Sequence, residues 1–289
     1  MSKKWEMPAP DEILNAIDEW RSLNLISASK EEVSKRFSGI FSDMLKVFVG
    51  ESSTGGYSTF YRIRKFEYLI DNVDELWAPK PEPVLTKLKK IKRGRCNFEN
   101  EPVLYVSTDG ANCFEELNVQ LGQHAYLIRY KKQLGELRLR SAYGTDWESI
   151  GLGEQIFETK TDNLSYKILC EFLRSEFMKP TCRKCDGSDF VYDVTASIIA
   201  YLKSHLNVDG FIYPSAVNVF SNNVALFPEY EKQKLELQDV RIVKLGSNDA
   251  DGVSYETLFN GIIDGGKVSW KPCSGSGGFR RMTARYMGK

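Results

Sequence analysis

Histidine is almost missing from this sequence: among 289 residues only His124 and His205 occur. A His-based nucleophilic triad or a multi-histidine metal centre would have to use one or both, and no supporting signature surrounds either. His205, beside Leu206 at the end of an apolar helix, reads as structural or surface. Cysteine is sparse and scattered, at 96, 113, 170, 182, 185 and 273, which is no disulfide framework. Only Cys182-x-x-Cys185 has zinc-knuckle spacing. Without a second pair at the right distance, plain thiols in a polar loop are the favoured reading, with structural zinc as the alternative. Long apolar runs are absent: Ala196–Leu202 is far too short to cross a bilayer, so no membrane span is expected. The first residues, Met-Ser-Lys-Lys-Trp-Glu-Met-Pro, hold no apolar segment, so no secretory leader is expected and a cytoplasmic location is the default. Neither sign of charge dominates, with 39 Lys+Arg against 39 Asp+Glu, so polyanion binding would need a local patch. The glycine-rich stretch Gly50–Gly56 lacks both the Lys-Ser/Thr of a Walker loop and a G-x-G-x-x-G, which leaves a hinge as its reading.

What the chain does contain is a core. Apolar residues make up 42%, and 16 Phe, 14 Tyr and 5 Trp supply bulk, which excludes wholesale disorder. The length fits one large domain or two modest ones. Ile13, Leu14, Ile17 and Trp20 form a helical stripe, and Ser29 with Glu32 opens a second helix whose apolar positions run from Val33 to Phe48. After the glycine-rich join, strands are expected over Tyr57–Phe66, Val103–Val106, Ala125–Arg129, Leu137–Ser141, Phe211–Tyr213, Val224–Phe227 and Val240–Lys244. Helices are expected over Ala111–Leu121, Tyr166–Phe177 and Val191–Leu206, and the chain past Val240–Lys244 looks sparse, with a loose end. The class is α+β. Three units are expected: a helical N-terminal extension (1–56), a main catalytic body (57–235) and a C-terminal extension with a strand and a loose tail (236–289).

Five short pieces carry the chemistry by their order. Tyr61-Arg62 comes first, then Glu75-Leu-Trp77-Ala-Pro79, then Arg93-Gly-Arg95-Cys-Asn97. Leu104-Tyr105-Val106-Ser107 follows, with Glu115-Glu116 on the helix behind it. More than a hundred residues later come Gly210-Phe-Ile-Tyr213-Pro-Ser215 and Asn222-Asn223. Together, over roughly residues 57–230, these resemble the RES domain family, named for its Arg, Glu and Ser.

The resemblance implies an ADP-ribosyltransferase-like fold, a split β-core with a cleft between two small sheets and flanking helices. It implies an enzyme that consumes NAD⁺ at the nicotinamide–ribose bond, with NAD⁺ as substrate and no metal. Carried over residue by residue, the catalytic set is Arg62, Arg95, Tyr105, Glu116 and Ser215. The NAD⁺ contacts are Arg62, Arg95, Asn97, Tyr105, Ser107, Ser215 and, of the Asn222/Asn223 pair, Asn223. Glu116 is selected over Glu115 because the family's Glu lies about eleven residues after its Tyr, and Arg62 over Arg64 because it directly follows an aromatic residue. Many members are toxins held by an antitoxin, so growth arrest or defence by NAD⁺ depletion is the implied role, with an antitoxin or regulatory protein, or a second copy of the chain, as candidate partners.

The residue types suit this chemistry on their own terms. Guanidinium forks match pyrophosphate oxygens. Glycosidic cleavage develops an oxocarbenium-like cation that a fixed carboxylate can stabilise. Tyr105 could stack on the nicotinamide or close the pocket, and Ser215 could hydrogen-bond the amide or ribose. Asn97 reads more readily as fixing its loop through side-chain-to-backbone bonds than as touching substrate. Two other readings stand beside the NAD⁺ glycohydrolase. One is a protein ADP-ribosyltransferase, differing only in the acceptor. The other is a non-catalytic module binding protein or nucleic acid through Lys80–Arg95, which holds seven basic residues against Glu82, and through Arg280, Arg281 and Arg285.

Overall fold

The computed structural model describes residues 7–25, 28–46, 53–54, 57–79, 91–143, 163–180, 190–218, 221–249, 252–273 and 279–282. Helix α1 (Pro10–Ser22) starts with Pro at its first position, and Glu12 reaches back to accept the Ala9 N–H at 2.8 Å. Of the expected stripe, Ile13, Ile17 and Trp20 are buried together with Ala16, while Leu14 is exposed. Helix α2 (Lys30–Leu45) is capped by Ser29, whose side chain accepts from Glu32 N, and buries Val33, Phe37, Phe41 and Leu45. Trp20 meets Phe37 edge-on at 5.5 Å, and Phe41 stacks at 4.8 Å on Phe172 of α4 (Leu164–Met178). With α5 (Phe190–His205), these helices share one apolar cluster that reaches the sheet at Phe211, Tyr213, Ala225 and Phe227. The N-terminal helices are thus part of the main core rather than an appendage beside it. The expected join at Gly50–Gly56 lies almost wholly outside the described residues.

The strands are β1 (Ser53–Thr54), β2 (Thr59–Lys65), β3 (Leu104–Ser107), β4 (His124–Lys132), β5 (Arg138–Ser141), β6 (Gly210–Pro214), β7 (Asn222–Leu226), β8 (Leu235–Asp249), β9 (Gly252–Asp264), β10 (Lys267–Pro272) and β11 (Arg280–Met282). Among the described residues they run in the order β1-β5-β6-β7-β3-β2-β4-β8-β9-β10, with β11 on β9. Every pairing is antiparallel except β5 with β6, whose crossover carries α4 and α5. One junction is thin. β2 meets β3 through the single pair Tyr61↔Ser107, whereas β2 pairs with β4 from Thr59↔Lys131 to Lys65↔Ala125 and β3 pairs with β7 over four positions. The sheet is continuous, and the β2–β3 junction is its shortest ladder. Two short helices, α3 (Gly110–Glu116) and α6 (Pro228–Lys234), complete the fold.

The region after Leu235 departs from expectation. It is a long antiparallel arm rather than sparse chain: β8 and β9 pair from Arg241↔Asn260 to Asp249↔Gly252, and β9 and β10 join at Gly265 and Gly266, both with positive φ. The arm escapes a reading based on apolar alternation because its outer part buries little. Ile262 and Ile263 are exposed, and the ladder of backbone hydrogen bonds holds it instead. Helix α3 is also shorter than expected. It stops where Asn118 adopts a left-handed φ of 50° and donates its N–H to Glu115 O at 2.9 Å. No helix among the described residues is long and apolar enough to cross a membrane.

Candidate functional site

A cavity of about 570 Å³ lies beside the β2–β3 junction, a size typical of small-molecule and cofactor sites. Its lining includes Arg62, Arg64 and Lys65 from β2, Arg95, Tyr105 from β3, Glu116 from α3, Tyr192 from α5 and Asn223 from β7. Four cationic side chains (those three of β2 and Arg95) face two carboxylates, Glu67 and Glu116, so an anion is favoured there.

The cationic wall is fastened through backbone carbonyls. Arg62 Nη1 donates to Trp77 O at 2.8 Å and Leu76 O at 3.3 Å, and Arg64 Nη1 donates to Glu75 O. Those carbonyls belong to a 3-10 turn, Val73–Leu76, and to Trp77, which is buried against Tyr130 at 5.2 Å. The aromatic segment thus serves as an anchor for the arginines. Arg64, two residues from Arg62 along the strand, lines the same cavity, so the strand period of two brings in an arginine that the motif alone passed over.

Arg95 stands on a tight loop. Gly94 N–H donates to Asn97 O at 3.0 Å, and a Cβ at Gly94 would fall 2.7 Å from the Tyr105 hydroxyl, so only glycine fits. Arg95 Nη2 donates to Lys179 O at 2.8 Å, and its guanidinium lies 5.9 Å from the Tyr192 ring centre. Its other terminal nitrogen, Nη1, is buried and has no hydrogen-bond partner among the described residues. A buried guanidinium nitrogen without an acceptor is costly unless a ligand supplies one.

Asn97 and Ser107, expected to touch ligand, stand behind the wall instead. Asn97 is buried and gives both amide protons to carbonyls, Lys92 O at 3.1 Å and Phe98 O at 2.8 Å. Ser107 is buried and spans Asn222 O and Asp109 N. Tyr105 lines the cavity with its ring while its hydroxyl is committed behind it. That hydroxyl accepts Cys96 N–H at 2.8 Å and donates to Asn97 Oδ1 at 2.7 Å. Burial, reinforced by the neighbouring Cys96 thiol, holds the Tyr105 hydroxyl well above the ordinary phenol range, so it stays protonated. Tyr213, edge-on to Tyr105 at 6.1 Å, is raised likewise by burial first.

The acidic wall is built differently. Asp109 caps α3 by accepting from Ala111 N at 2.9 Å, and its second oxygen accepts the Ser221 hydroxyl at 3.2 Å. Ser221 O in turn accepts Ser215 N–H at 2.9 Å, which ties the helix start to the loop after β6. Ser215, fully buried, donates to Glu116 Oε1 at 2.6 Å, and Asn223 Nδ2 donates to the same oxygen at 2.7 Å. Glu116 Oε2 has no hydrogen-bond partner among the described residues, while the residue lines the cavity. One carboxylate oxygen is pinned and the other is left for a ligand. The helix phase sets Glu116 toward the cavity and leaves its neighbour Glu115 outside the lining. The Glu115 carboxyl is raised by partial burial, then by the charges of Asp109 and Glu116.

Arg62, Arg95, Tyr105, Glu116 and Asn223 therefore meet in one cavity, and Ser215 reaches it through Glu116. Tyr192, Arg64 and Lys65 were missed. Tyr192 sits at the start of an otherwise apolar helix, where no local pattern marks it. Cys113 also lines the cavity, but burial pushes its thiol far up, which makes it a poor nucleophile. Of the basic stretch Lys80–Arg95, residues 80–90 lie outside the described residues, as do Cys182, Cys185 and Arg285. Arg93 pairs with Asp193 of α5 at 2.9 Å, and Arg281 pairs with Asp249. His205 is exposed and stacks on Tyr201 at 4.3 Å. No group of three or more His, Cys, Asp or Glu among the described residues could hold a metal ion. Comparison with known protein families, with curated proteins and with solved structures finds no match.

Proposed function

We propose that this chain consumes NAD⁺ by cleaving the nicotinamide–ribose bond, in a split β-core of the RES and ADP-ribosyltransferase type. The observation that carries this reading is the pairing of two features in one cavity: a buried Arg95 nitrogen with no acceptor among the described residues, and a Glu116 carboxylate with one oxygen pinned and the other without a partner among them. A dinucleotide needs both, an anion site for its pyrophosphate and a fixed negative charge for the ribosyl centre. The single-pair β2–β3 junction at Tyr61↔Ser107, with Tyr61 lining the cavity, supports the split-core reading.

In the proposed reaction Arg95 and the β2 arginines hold the pyrophosphate, and the tyrosine rings flank the bases. The bond from ribose C1′ to the pyridinium nitrogen breaks, and its electron pair leaves with nicotinamide, quenching the ring's charge. Glu116 Oε2 stabilises the cation that develops on the ribose. Water adds its oxygen to C1′ and releases a proton, giving ADP-ribose. Transfer to a protein side chain would differ only in the capturing atom. Depletion of NAD⁺ would arrest growth, which gives an antitoxin-like regulator its purpose.

The test is NAD⁺ loss with product analysis for wild type, Glu116→Ala and Arg95→Ala, each checked for folding. Nicotinamide and free ADP-ribose in equal amounts are expected from wild type, with little product from Glu116→Ala and product from Arg95→Ala only at much higher NAD⁺. ADP-ribose found on protein would move the reading to a transferase. NAD⁺ left intact, with and without added phosphate or cell extract, would overturn it.

A further inference from the structure

Asn112 is fully buried on α3, one turn before Glu116, and does not line the cavity. Its Nδ2 donates to Asn223 Oδ1 at 3.2 Å, and its Oδ1 lies 3.1 Å from the Ser215 hydroxyl. Asn223 and Ser215 are the two residues that donate to Glu116 Oε1. Asn112, Ser215, Glu116 and Asn223 therefore close a four-membered ring of side chains, three of which serve the fourth.

Hydrogen-bond polarity fixes the ring's direction. An ionised carboxylate only accepts, so Asn223 must present Nδ2 to Glu116 and Oδ1 to the interior. That oxygen then requires a donor, and Asn112 Nδ2 is the one present. Turning the Asn112 amide over would set oxygen against oxygen and drive the Asn223 amide to follow, bringing a second acceptor to within 2.7 Å of Glu116 Oε1. Ser215 oxygen already accepts from Val217 N at 3.2 Å and Asn218 N at 3.1 Å, so its single proton has two takers, Glu116 Oε1 and Asn112 Oδ1. The shorter, charge-assisted bond at 2.6 Å claims it, and Asn112 stands as the second acceptor.

We propose that Asn112 is a positioning residue: it locks the Asn223 amide with its donor toward Glu116 and backs the Ser215 hydroxyl, so that one Glu116 oxygen is pinned and the other faces ligand. The ring stands on geometry alone, while its consequence for turnover rests on the NAD⁺ reading above.

Asn112→Asp tests the lock, since it keeps size and the acceptor but removes the donor, so Asn223 should turn its Nδ2 toward the introduced carboxylate and unpin Glu116. Two readouts separate the claims. In spectra of protein labelled on asparagine side-chain nitrogen, the Asn223 amide pair, assigned by its loss in Asn223→Asp, should move in Asn112→Asp and in Glu116→Gln alike. Turnover of NAD⁺ by folded Asn112→Asp should fall roughly 10- to 100-fold in kcat with KM within about threefold, the pattern of a lost transition-state interaction. Should Asn112→Asp fail to fold, Asn112→Ala is the second variant: it removes the donor to Asn223 Oδ1 without adding charge, and the same shift of the Asn223 amide pair and the same kcat loss are expected. An Asn223 amide pair that does not move, or a folded variant with wild-type kcat, would overturn the proposal. A moved amide pair in a protein that never consumes NAD⁺ supports the positioning role and removes the NAD⁺ reading instead.

Discussion

The two walls of the cleft solve opposite problems. The acidic wall is finished without ligand: Glu116 Oε1 takes two side-chain donors, and those donors are themselves held by Asn112. The cationic wall is unfinished: Arg62 and Arg64 are tethered to carbonyls, and Arg95 keeps a buried nitrogen without a partner among the described residues. A preorganised carboxylate costs no reorganisation when charge develops beside it, whereas an incomplete cation gains most from the arrival of an anion. The acidic wall should therefore govern the chemical step, and the cationic wall should govern binding.

The largest effect should come from breaking the acidic wall at its centre. Glu116→Gln keeps the shape but not the charge and should lower kcat roughly 100- to 1,000-fold with little change in KM. The opposite pattern is expected across the cleft. Arg95→Ala should raise KM roughly 10- to 100-fold, as for loss of a charge-assisted contact worth about 1.5–3 kcal/mol, with a smaller change in kcat. If steady-state kinetics show both variants altering the same parameter, the division between the walls fails.

Ser215→Ala probes the acidic wall more finely. It removes one of two donors to Glu116 and should reduce kcat about 10-fold or somewhat more while leaving KM near wild type. Tyr105→Phe probes the seam behind the Arg95 loop. Losing the bonds to Asn97 and Cys96 should destabilise the fold by about 1–3 kcal/mol in denaturant titration, with only a few-fold rise in KM. The smallest effect near neutrality is in pH. The thiols of Cys96 and Cys113 are raised from their ordinary 9.0 and the hydroxyls of Tyr105, Tyr213 and Tyr130 from 10.0, that of Tyr130 to about 12, all chiefly by burial. The folded state therefore holds these protons more tightly than the unfolded chain. Their contribution is fully present below pH 9.0 and is lost as pH rises through the folded values. Denaturant melts should be flat from pH 7 to about 9 and fall steeply above about 10, and thiol reagents should find Cys96 and Cys113 only after unfolding.

The cleft is legible in the sequence to the extent that its residues lie on periodic elements. Arg62 and Tyr105 fall on strands with clear apolar neighbours, whereas Glu116 is chosen over Glu115 by its distance after Tyr105 in the resemblance, and the phase of α3 then turns it to the cavity. The stripes of α1 and α2 read largely as expected because each helix buries one face, with Leu14 the exposed exception and Phe48 outside the described residues. What stayed hidden depends on distant partners. Ser107 looks like a ligand contact until the carbonyl that takes its proton is known, whereas the loop-fixing reading of Asn97 matches its bonds to Lys92 O and Phe98 O. Nothing local in Asn112 announces that Asn223, more than a hundred residues away, needs its donor. Past the expected strand Val240–Lys244, the outer part of the arm is unreadable for a different reason: Ile262 and Ile263 are exposed and β9 is held to β10 there by backbone pairing, although Leu245, Val253 and Tyr255 further in are core.

The most direct measurement is a crystal structure of Glu116→Gln, slowed enough to retain substrate, grown with saturating NAD⁺. The expected result is the dinucleotide in the cleft between β2 and β3, with pyrophosphate oxygens on Arg95 Nη1 and the nicotinamide ribose against the side chain at 116. NAD⁺ bound elsewhere, or an empty cleft in crystals of a protein whose wild type consumes NAD⁺, would contradict it.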